Sequence, residues 1–177
     1  SLFLIDDWCS RYEDKIKAKG DIGFLVSTLG SDGRIAFNIS GTSHHSNTEL
    51  RQTNFATQAD AASSLGGIEV AKNRLVITIG LETITRNPKT VAIVCAAGES
   101  NAVTIKNALE SEMTVEYPAT VLQRLENSRF YLTKGAASLL TDSINHYYFK
   151  EEWNFQKTER AILELCKKLN RYAPKLT

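Results

Sequence analysis

The run Thr90-Val91-Ala92-Ile93-Val94-Cys95-Ala96-Ala97-Gly98 decides the fold of this chain. An unbroken apolar run that ends at a glycine is typical of a parallel β-strand covered on both faces. Further extended segments are predicted at residues 23–29, 35–38, 75–79 and 128–133. Helices are predicted at residues 101–112, 118–125 and 135–140. Strands that alternate with helices predict an α/β fold, with a mostly parallel sheet flanked by helices in a Rossmann-like arrangement.

The amino-terminal segment and the polar middle of the chain add two more predicted helices. Residues 6–19 have helical spacing, with Asp6 and Asp7 in the position of a cap. Residues 39–66 are polar and weakly periodic, and only residues 56–65 at their end predict a helix. A polar excursion of this length either covers a site or is partly mobile.

The sequence predicts two parts that meet after residue 140. Residues 1–140 form the α/β domain, and residues 141–177 form an aromatic connector followed by an amphipathic helix at 158–170. The apolar stripe of that helix either packs back on the sheet or serves as a dimerisation or interdomain surface. Because the chain starts without a methionine or a signal peptide, we expect it to be a piece of a longer protein.

The composition excludes several classes of protein. The 177 residues are 42% hydrophobic and 23% charged, and 21 Lys and Arg against 20 Asp and Glu leave a formal net charge of +1. This balance argues against a nucleic-acid-binding or membrane-surface protein held by bulk charge. No apolar run approaches the roughly 20 residues of a membrane span. The sequence therefore predicts a cytoplasmic protein of ordinary globular type.

The sequence predicts neither a metal site nor a bound cofactor. Three cysteines at unpaired spacings exclude a disulfide scaffold or a zinc module, and Cys95 is expected in the core as a small hydrophobe. His44 and His45 lack further ligands at workable spacing and are expected to be solvated. No phosphate-binding P-loop, dinucleotide fingerprint or nucleophile elbow is present.

Glycines follow three of the predicted strands. In open α/β sheets ligands bind beyond the carboxyl ends of the strands. The segments Gly30–Arg34, Gly80–Thr83 and Gly98–Asn101 are therefore expected at that edge. The third leads into a predicted helix, whose first backbone N–H groups could hold a phosphate or a carboxylate.

One segment carries a family resemblance. Leu29-Gly30-Ser31-Asp32-Gly33-Arg34-Ile35-Ala36-Phe37-Asn38 resembles the signature Gly-x-Asp-Gly-His-Ile-Ala-Phe-Asn-Glu-Pro of glucosamine-6-phosphate deaminases. Residues 11–16, 77–84 and 118–123 resemble three further segments of that family in the same order. The resemblance runs from about Tyr12 to Leu140. It implies the carboxyl-terminal half of the deaminase fold plus an extra helix, with the family's proton-shuttling aspartate and first strands lying before residue 1.

The resemblance also implies catalytic positions. Family members convert glucosamine 6-phosphate to fructose 6-phosphate and ammonia, with a histidine that opens the sugar ring. That histidine falls on Arg34 here, and its acidic partner falls on Ile39, whereas the aspartate of the same triad is retained as Asp32. A guanidinium group does not exchange protons near neutral pH. Arg34 is therefore expected to donate hydrogen bonds or hold an anion, and not to act as a base.

The candidate substrate-binding residues are likewise implied by the resemblance. They comprise two glycines of the signature and three positions expected near a phosphate, namely Gly30, Gly33, Ser63, Ser100 and Asn101. The family's phosphate-binding lysine falls on Asn101, and an arginine of the preceding helix falls on Ser63. These replacements weaken the expected phosphate clamp.

Two functions stay open at this point. In one, the chain is a deaminase-like domain that binds or acts on an amino-sugar phosphate and forms a homo-oligomer. In the other, it is a catalytically degenerate relative that serves as a ligand-sensing or structural module of a larger protein. A hydrolase resembling 6-phosphogluconolactonase is less favoured, because Ala36-Phe37-Asn38 matches the deaminase signature.

Overall fold

The computed structural model describes residues 2–72 and 74–170. The helices are α1 (Leu2–Ala18), α2 (Phe55–Leu65), α3 (Ile68–Ala71), α4 (Leu81–Thr85), α5 (Ala102–Glu110), α6 (Thr141–Phe149) and α7 (Phe155–Lys168). The strands are β1 (Phe24–Thr28), β2 (Glu49–Gln52), β3 (Leu75–Thr78), β4 (Val91–Ala96) and β5 (Asn127–Leu132). Two 3₁₀ helices lie at Glu99–Asn101 and Pro118–Arg124.

The central strand of the fold is β4. The sheet has the order β1-β4-β5, and β4 pairs in parallel with both neighbours. The register sets Thr28 beside Cys95 and Cys95 beside Tyr131, so three strands end at the same edge. The predicted α/β fold with a parallel sheet flanked by helices is confirmed.

A second, two-stranded sheet lies outside this arrangement. The segment predicted at 75–79 forms β3, but β3 pairs antiparallel with β2 and does not join the parallel sheet. The strand β2 was not predicted, because its residues are polar and lie inside the polar excursion. The expected extended piece at 35–38 is wrong as well. It is a tight turn in which the Asn38 N–H bonds the Ile35 carbonyl and Ala36 has φ +52°.

Three helix expectations need correction. Asp6 and Asp7 do not cap α1, which begins at Leu2, and Asp7 instead pairs with Arg11 one turn later at 2.6 Å. Residues 134–139 form successive turns and not a helix. Their start is constrained because a Cβ on Gly135 would lie 3.2 Å from the Glu99 backbone. The aromatic segment expected as a connector lies mostly inside α6.

The core covers only one face of the parallel sheet. Alternate residues of β4, among them Ala92 and Val94, are buried against helices α4 and α5 and the second 3₁₀ helix. The opposite face carries exposed Phe24 and Val26 in β1 and exposed Tyr131 in β5. We expected β4 to be covered on both faces. Within the described residues, it is covered on one face only.

The chain divides into two compact units at Leu140 and Thr141. The second unit contains α6 and α7, and its buried centre is Lys157, whose ammonium lies 4.8 Å from the Trp153 ring centroid. Lys157 Nζ also donates to the Glu151 carbonyl at 2.6 Å. Residues 171–177, part of the predicted carboxyl-terminal segment, lie outside the described residues. Of the helices in the described part of the chain, none is long and apolar enough to span a bilayer.

Glu13 connects α1 to the rest of the first unit through hydrogen bonds and an ion pair. Its side chain is buried, and Oε1 accepts hydrogen bonds from the Thr48 N–H at 2.8 Å and from the Thr48 and Thr83 hydroxyls at 2.5 Å. Oε2 pairs with Arg86 at 2.7 Å. Burial alone would raise the pKa of Glu13, but these hydrogen bonds and the Arg86 charge lower it below its usual value.

Replacing Glu13 is expected to destabilise the first unit. Glu13→Ala should lower the free energy of unfolding by about 3 kcal/mol, because it leaves the Thr48 and Thr83 donors without their acceptor and, among the described residues, leaves Arg86 with Asp21 alone, 3.5 Å away. In the native chain, the ionised Glu13 carboxylate stabilises the fold at neutral pH. This stabilisation is lost as the pH falls from the ordinary glutamate pKa to the lowered pKa of Glu13 and below it. Urea unfolding across pH 3–7 measures both effects, with exposed Glu126→Gln as control. Equal losses in the two variants would contradict the role assigned to Glu13.

Candidate functional site

The signature segment forms a tight loop at the carboxyl end of β1. The Gly33 N–H donates to the Gly30 carbonyl at 3.0 Å, and the Gly30 N–H donates to the Arg34 carbonyl at 3.1 Å. Gly33 has φ +79°, a conformation that L side chains rarely adopt. The loop is held from outside by the Thr104 hydroxyl, which donates to the Ser31 carbonyl at 2.9 Å.

Gly30 makes room for the side chain of Arg34. A Cβ at position 30 would lie 2.6 Å from Arg34 Cγ and from its guanidinium carbon. The arginine therefore lies across the glycine and turns back toward Asp32. The signature glycine thus has a steric role that is visible only in the folded loop.

Two carboxylates hold the Arg34 guanidinium. Nη1 lies 2.8 Å from Asp32 Oδ1, and Nη2 lies 3.0 Å from Asp60 Oδ2 on α2. Asp32 also accepts a hydrogen bond at Oδ2 from Asn54, 2.8 Å away, and Asp60 accepts one from the Ser31 hydroxyl at 3.1 Å. We call Asp32, Arg34, Asn54 and Asp60 the Arg34 cluster.

These contacts fix the protonation of Asp32. Burial alone would raise the pKa of Asp32, but hydrogen bonds from Asn54 and Arg34 and the charge of Arg34 lower it below its usual value. The carboxyl is therefore ionised at neutral pH, with both oxygens occupied by donors. The Arg34 guanidinium does not release a proton near pH 7, and the donor-bound Asp32 carboxylate is a weak base there.

Two adjoining clefts lie at the carboxyl edge of the sheet, and Arg34 and Asp60 of the cluster line the smaller one. A cleft of about 250 Å³ is lined by Gly30, Arg34, Asp60 and the residues Ser27, Thr28, Ala36, Phe37 and Ala61. A larger cleft of about 560 Å³ is lined by Thr28, Leu29, Cys95, Ala96, Ala97, Asn101, Tyr131, Leu132 and Thr133. Thr28 lines both clefts, so they are neighbours. Their position is the one expected for a ligand site on an open α/β sheet.

The remaining sequence-predicted residues are distributed unevenly around these clefts. Asn101 lines the larger cleft, and its amide donates to the Ala97 carbonyl at 2.8 Å. Ser100 is exposed in the same 3₁₀ turn. Ser63 is exposed on α2, one turn beyond Asp60, and among the described residues it takes no part in the hydrogen bonds of the Arg34 cluster. Ile39 follows the signature turn and is half-buried.

One of the three predicted strand exits does not reach this edge. Gly80 follows β3, which belongs to the antiparallel pair, and a Cβ on Gly80 would overlap the Ser46 backbone. The glycine is therefore required by close packing of two loops. The predicted role of the Gly80–Thr83 segment beside the other two exits is wrong.

Sequence reasoning missed Asn54, Asp60 and Tyr131. Asn54 had a usable signal, because an asparagine just before an apolar helix predicts an N-cap, and its Oδ1 accepts from the Thr57 N–H at 2.8 Å. The pairing of Asp60 with Arg34 joins residues 26 positions apart and has no local signal. Tyr131 lies beside Cys95 through the strand register.

The exposure of Cys95 and of His44 differs from what the sequence predicts. Cys95 is exposed and lines the larger cleft, so the expected core position is wrong, because the described residues leave that face of the sheet uncovered. Cys9 is the buried thiol, and burial raises its pKa, with Asp6 adding to the effect. His45 is exposed as expected, but His44 is half-buried. Within residues 2–72 and 74–170, no group of three metal-ligating side chains comes together.

The known proteins to which the chain is similar in sequence carry the same name, glucosamine-6-phosphate deaminase or deaminase-like protein. No protein-family model matches the chain. A glucosamine-6-phosphate deaminase of Oceanobacillus iheyensis is 29% identical over 143 residues, which are 81% of this chain and 54% of that protein. A glucosamine-6-phosphate deaminase-like protein of Bacteroides thetaiotaomicron is 30% identical over 174 residues, 98% of this chain and 26% of that protein. The chain spans about half the length of the curated deaminases it matches.

Solved structures show the same fold. A monomeric glucosamine-6-phosphate deaminase superposes with a TM-score of 0.68 at 27% identity, covering 76% of this chain and 54% of that one. The 6-phosphogluconolactonase of Trypanosoma cruzi superposes with a TM-score of 0.54 at 18% identity, covering 75% of this chain and 51% of that one. The second likeness concerns the fold alone.

Replacing Gly30 is expected to displace Arg34. Gly30→Ala should destabilise the first unit by about 1–3 kcal/mol, the usual cost of overpacking. It should also raise the pKa of Asp32 toward its ordinary value, because the guanidinium no longer faces the carboxylate. Urea unfolding and carboxyl NMR titration measure these effects, with Gly23→Ala, where a Cβ meets open space, as control. An unchanged Asp32 titration in Gly30→Ala would contradict this geometry.

Cys95 and Cys9 are expected to react at different rates. In a Cys166→Ser background, a thiol reagent should modify Cys95 at least 10-fold faster than Cys9, because Cys9 is buried and its pKa is raised. Mass spectrometry of timed samples identifies the modified residue. Faster labelling of Cys9 would show that the larger cleft does not expose Cys95.

Proposed function

Because the chain is a divergent member of the glucosamine-6-phosphate deaminase family, we propose that it binds an amino-sugar phosphate at the carboxyl edge of its sheet without opening the sugar ring. Two relatives of this name are 29% and 33% identical to the chain over 81% and 75% of its length. The two adjoining clefts beside the signature loop are where the proposed ligand lies.

The signature residues that remain here support the shape of the loop. Ile35 and Asn38 are fully buried. The Asn38 amide donates to the Ile35 carbonyl at 3.1 Å and to the Ile79 carbonyl at 2.9 Å, which ties the turn to the end of β3. The loop that carries Asp32 and Arg34 is therefore held rigid. A rigid loop beside a cleft favours ligand binding, because less ordering is needed when the ligand binds.

The double pairing of Arg34 carries the proposal that ring opening is lost. Ring opening requires a group that takes a proton from one sugar oxygen and returns a proton to another. The Arg34 guanidinium keeps its protons, and its charge is engaged by Asp32 and Asp60. Asp32 has a lowered pKa and two donor-bound oxygens. Ile39, at the position of the acidic partner, has no ionisable group at all.

These features favour the ligand-sensing alternative over a working deaminase. The cytoplasmic location and the homo-oligomer expected from the sequence stay predictions.

Ring opening can be tested apart from deamination. Ring opening interconverts the α and β anomers of glucosamine 6-phosphate, and proton NMR follows that exchange. We expect the native chain to bind the sugar phosphate by isothermal titration and to leave the rate of anomer exchange at the buffer value. Arg34→His alone should not restore exchange, because Ile39 still replaces the acidic partner.

The place of binding is tested with the same ligand. Glucosamine 6-phosphate is expected to slow labelling of Cys95, which lines the larger cleft, and to leave Cys166 in the second unit unaffected. Accelerated anomer exchange by the native chain would contradict the loss of ring opening. Absence of both binding and Cys95 protection would contradict the binding function itself.

A further inference from the structure

The charges around the two clefts are unusual for a phosphate site. Among the residues that the structure describes, those lining the larger cleft include no lysine or arginine, and the smaller cleft has Arg34 as its basic residue. Arg34 is balanced by Asp32 and Asp60, so the three side chains together carry a charge of −1. A phosphate group brought to Arg34 would face two carboxylates and would have to displace at least one of them.

Asp60 is the member of the Arg34 cluster that a ligand can reach. Its side chain is 42% exposed, against 15% for Asp32 and 13% for Arg34. Among the described residues, Asp60 accepts from Arg34 and from the Ser31 hydroxyl, and both contacts are made at Oδ2. Oδ1 is therefore left to accept a hydrogen bond from a molecule in the smaller cleft, which Asp60 lines.

We propose that Asp60 recognises the ligand's amino group as an ammonium ion, and that this contact, more than any phosphate contact, gives this chain its ligand preference. The proposal rests on the proposed function, because it assigns a part of the amino-sugar ligand to a residue of the same site. Asp60 then determines specificity, because its carboxylate favours ligands that carry a positive charge. No bond is made or broken in this step.

The smaller cleft suits a cation at Asp60, and the larger cleft suits a sugar ring. Asp60 is oriented before the ligand arrives, because Ser31 and Arg34 fix one of its oxygens. The larger cleft next to it offers the exposed Tyr131 ring as an apolar surface, and side-chain hydroxyl and amide groups from Thr28, Thr133 and Asn101. A ligand with its ammonium at Asp60 would occupy the smaller cleft, which adjoins the larger one at Thr28. The net negative charge also favours a cation at this place from a distance.

Four sugars separate recognition of the amine from recognition of the phosphate. Glucosamine, glucose, glucosamine 6-phosphate and glucose 6-phosphate are titrated into the native chain by isothermal calorimetry at low ionic strength. We expect each amino sugar to bind about 10-fold more tightly than its hydroxyl counterpart, in line with a hydrogen bond to a charged group. We expect the phosphate to add less than the amine.

Two matched variants locate the effect. Asp60→Asn keeps the shape of the side chain and removes its charge, and it should abolish the preference for the amino sugars. Ser31→Ala removes the hydrogen bond to Asp60 but keeps the carboxylate, and it should retain most of the preference. Exposed Glu126→Gln, next to the amino end of β5, should behave as the native chain does. Thermal unfolding of each variant verifies that the fold is kept.

The outcomes separate this proposal from the proposed function. If both sugar phosphates bind equally and the unphosphorylated sugars do not, the binding function stands and recognition by Asp60 is wrong. If the amine preference survives in Asp60→Asn, another residue reads the amine and the assignment is again overturned. If none of the four sugars binds, both proposals fail.

Discussion

Parallel pairing of β4 with both β1 and β5 is the constraint on which the rest of the first unit depends. It brings the carboxyl ends of three strands to one edge, and the signature loop leaves β1 at that edge. The same register places Cys95 and Tyr131 side by side in the wall of the larger cleft. The site is therefore a consequence of sheet order, since its residues come from segments that are far apart in the chain.

Within that frame, the character of the site is set by what Arg34 pairs with. An arginine at a ligand-facing loop is often a reader of anions. Here the absent side chain of Gly30 lets the guanidinium turn back onto Asp32, and α2 supplies Asp60 as a second carboxylate. The charge of Arg34 is balanced by these two carboxylates, and the more exposed charged group in the smaller cleft is Asp60. One glycine and one aspartate thus change the ligand preference that the arginine alone would suggest.

The sequence predicts those parts of the fold whose signals are local. The apolar run of β4 and the alternation of strands and helices are enough for an α/β fold, and the signature loop is enough for the family. The β2–β3 pair was missed because the polar residues of Glu49–Gln52 carry no strand pattern of their own. The exposure of Cys95 was missed because an apolar run does not reveal whether a second layer covers it.

The site was predicted in part for the same reason. Asp32 and Arg34 are two positions apart, so their contact follows from a turn. Asp60 reaches them only through the placement of α2, which depends on tertiary packing and leaves no trace in residue spacing. Asn54 is an intermediate case, since its cap position is readable but its second hydrogen bond, to Asp32, is not.

A crystal structure of the chain with glucosamine 6-phosphate bound tests the central claim most directly. The account predicts a closed sugar ring in the clefts, with Arg34 still within hydrogen-bond distance of Asp32 and Asp60. An open-chain sugar, or a phosphate group on an Arg34 released from both carboxylates, would contradict it.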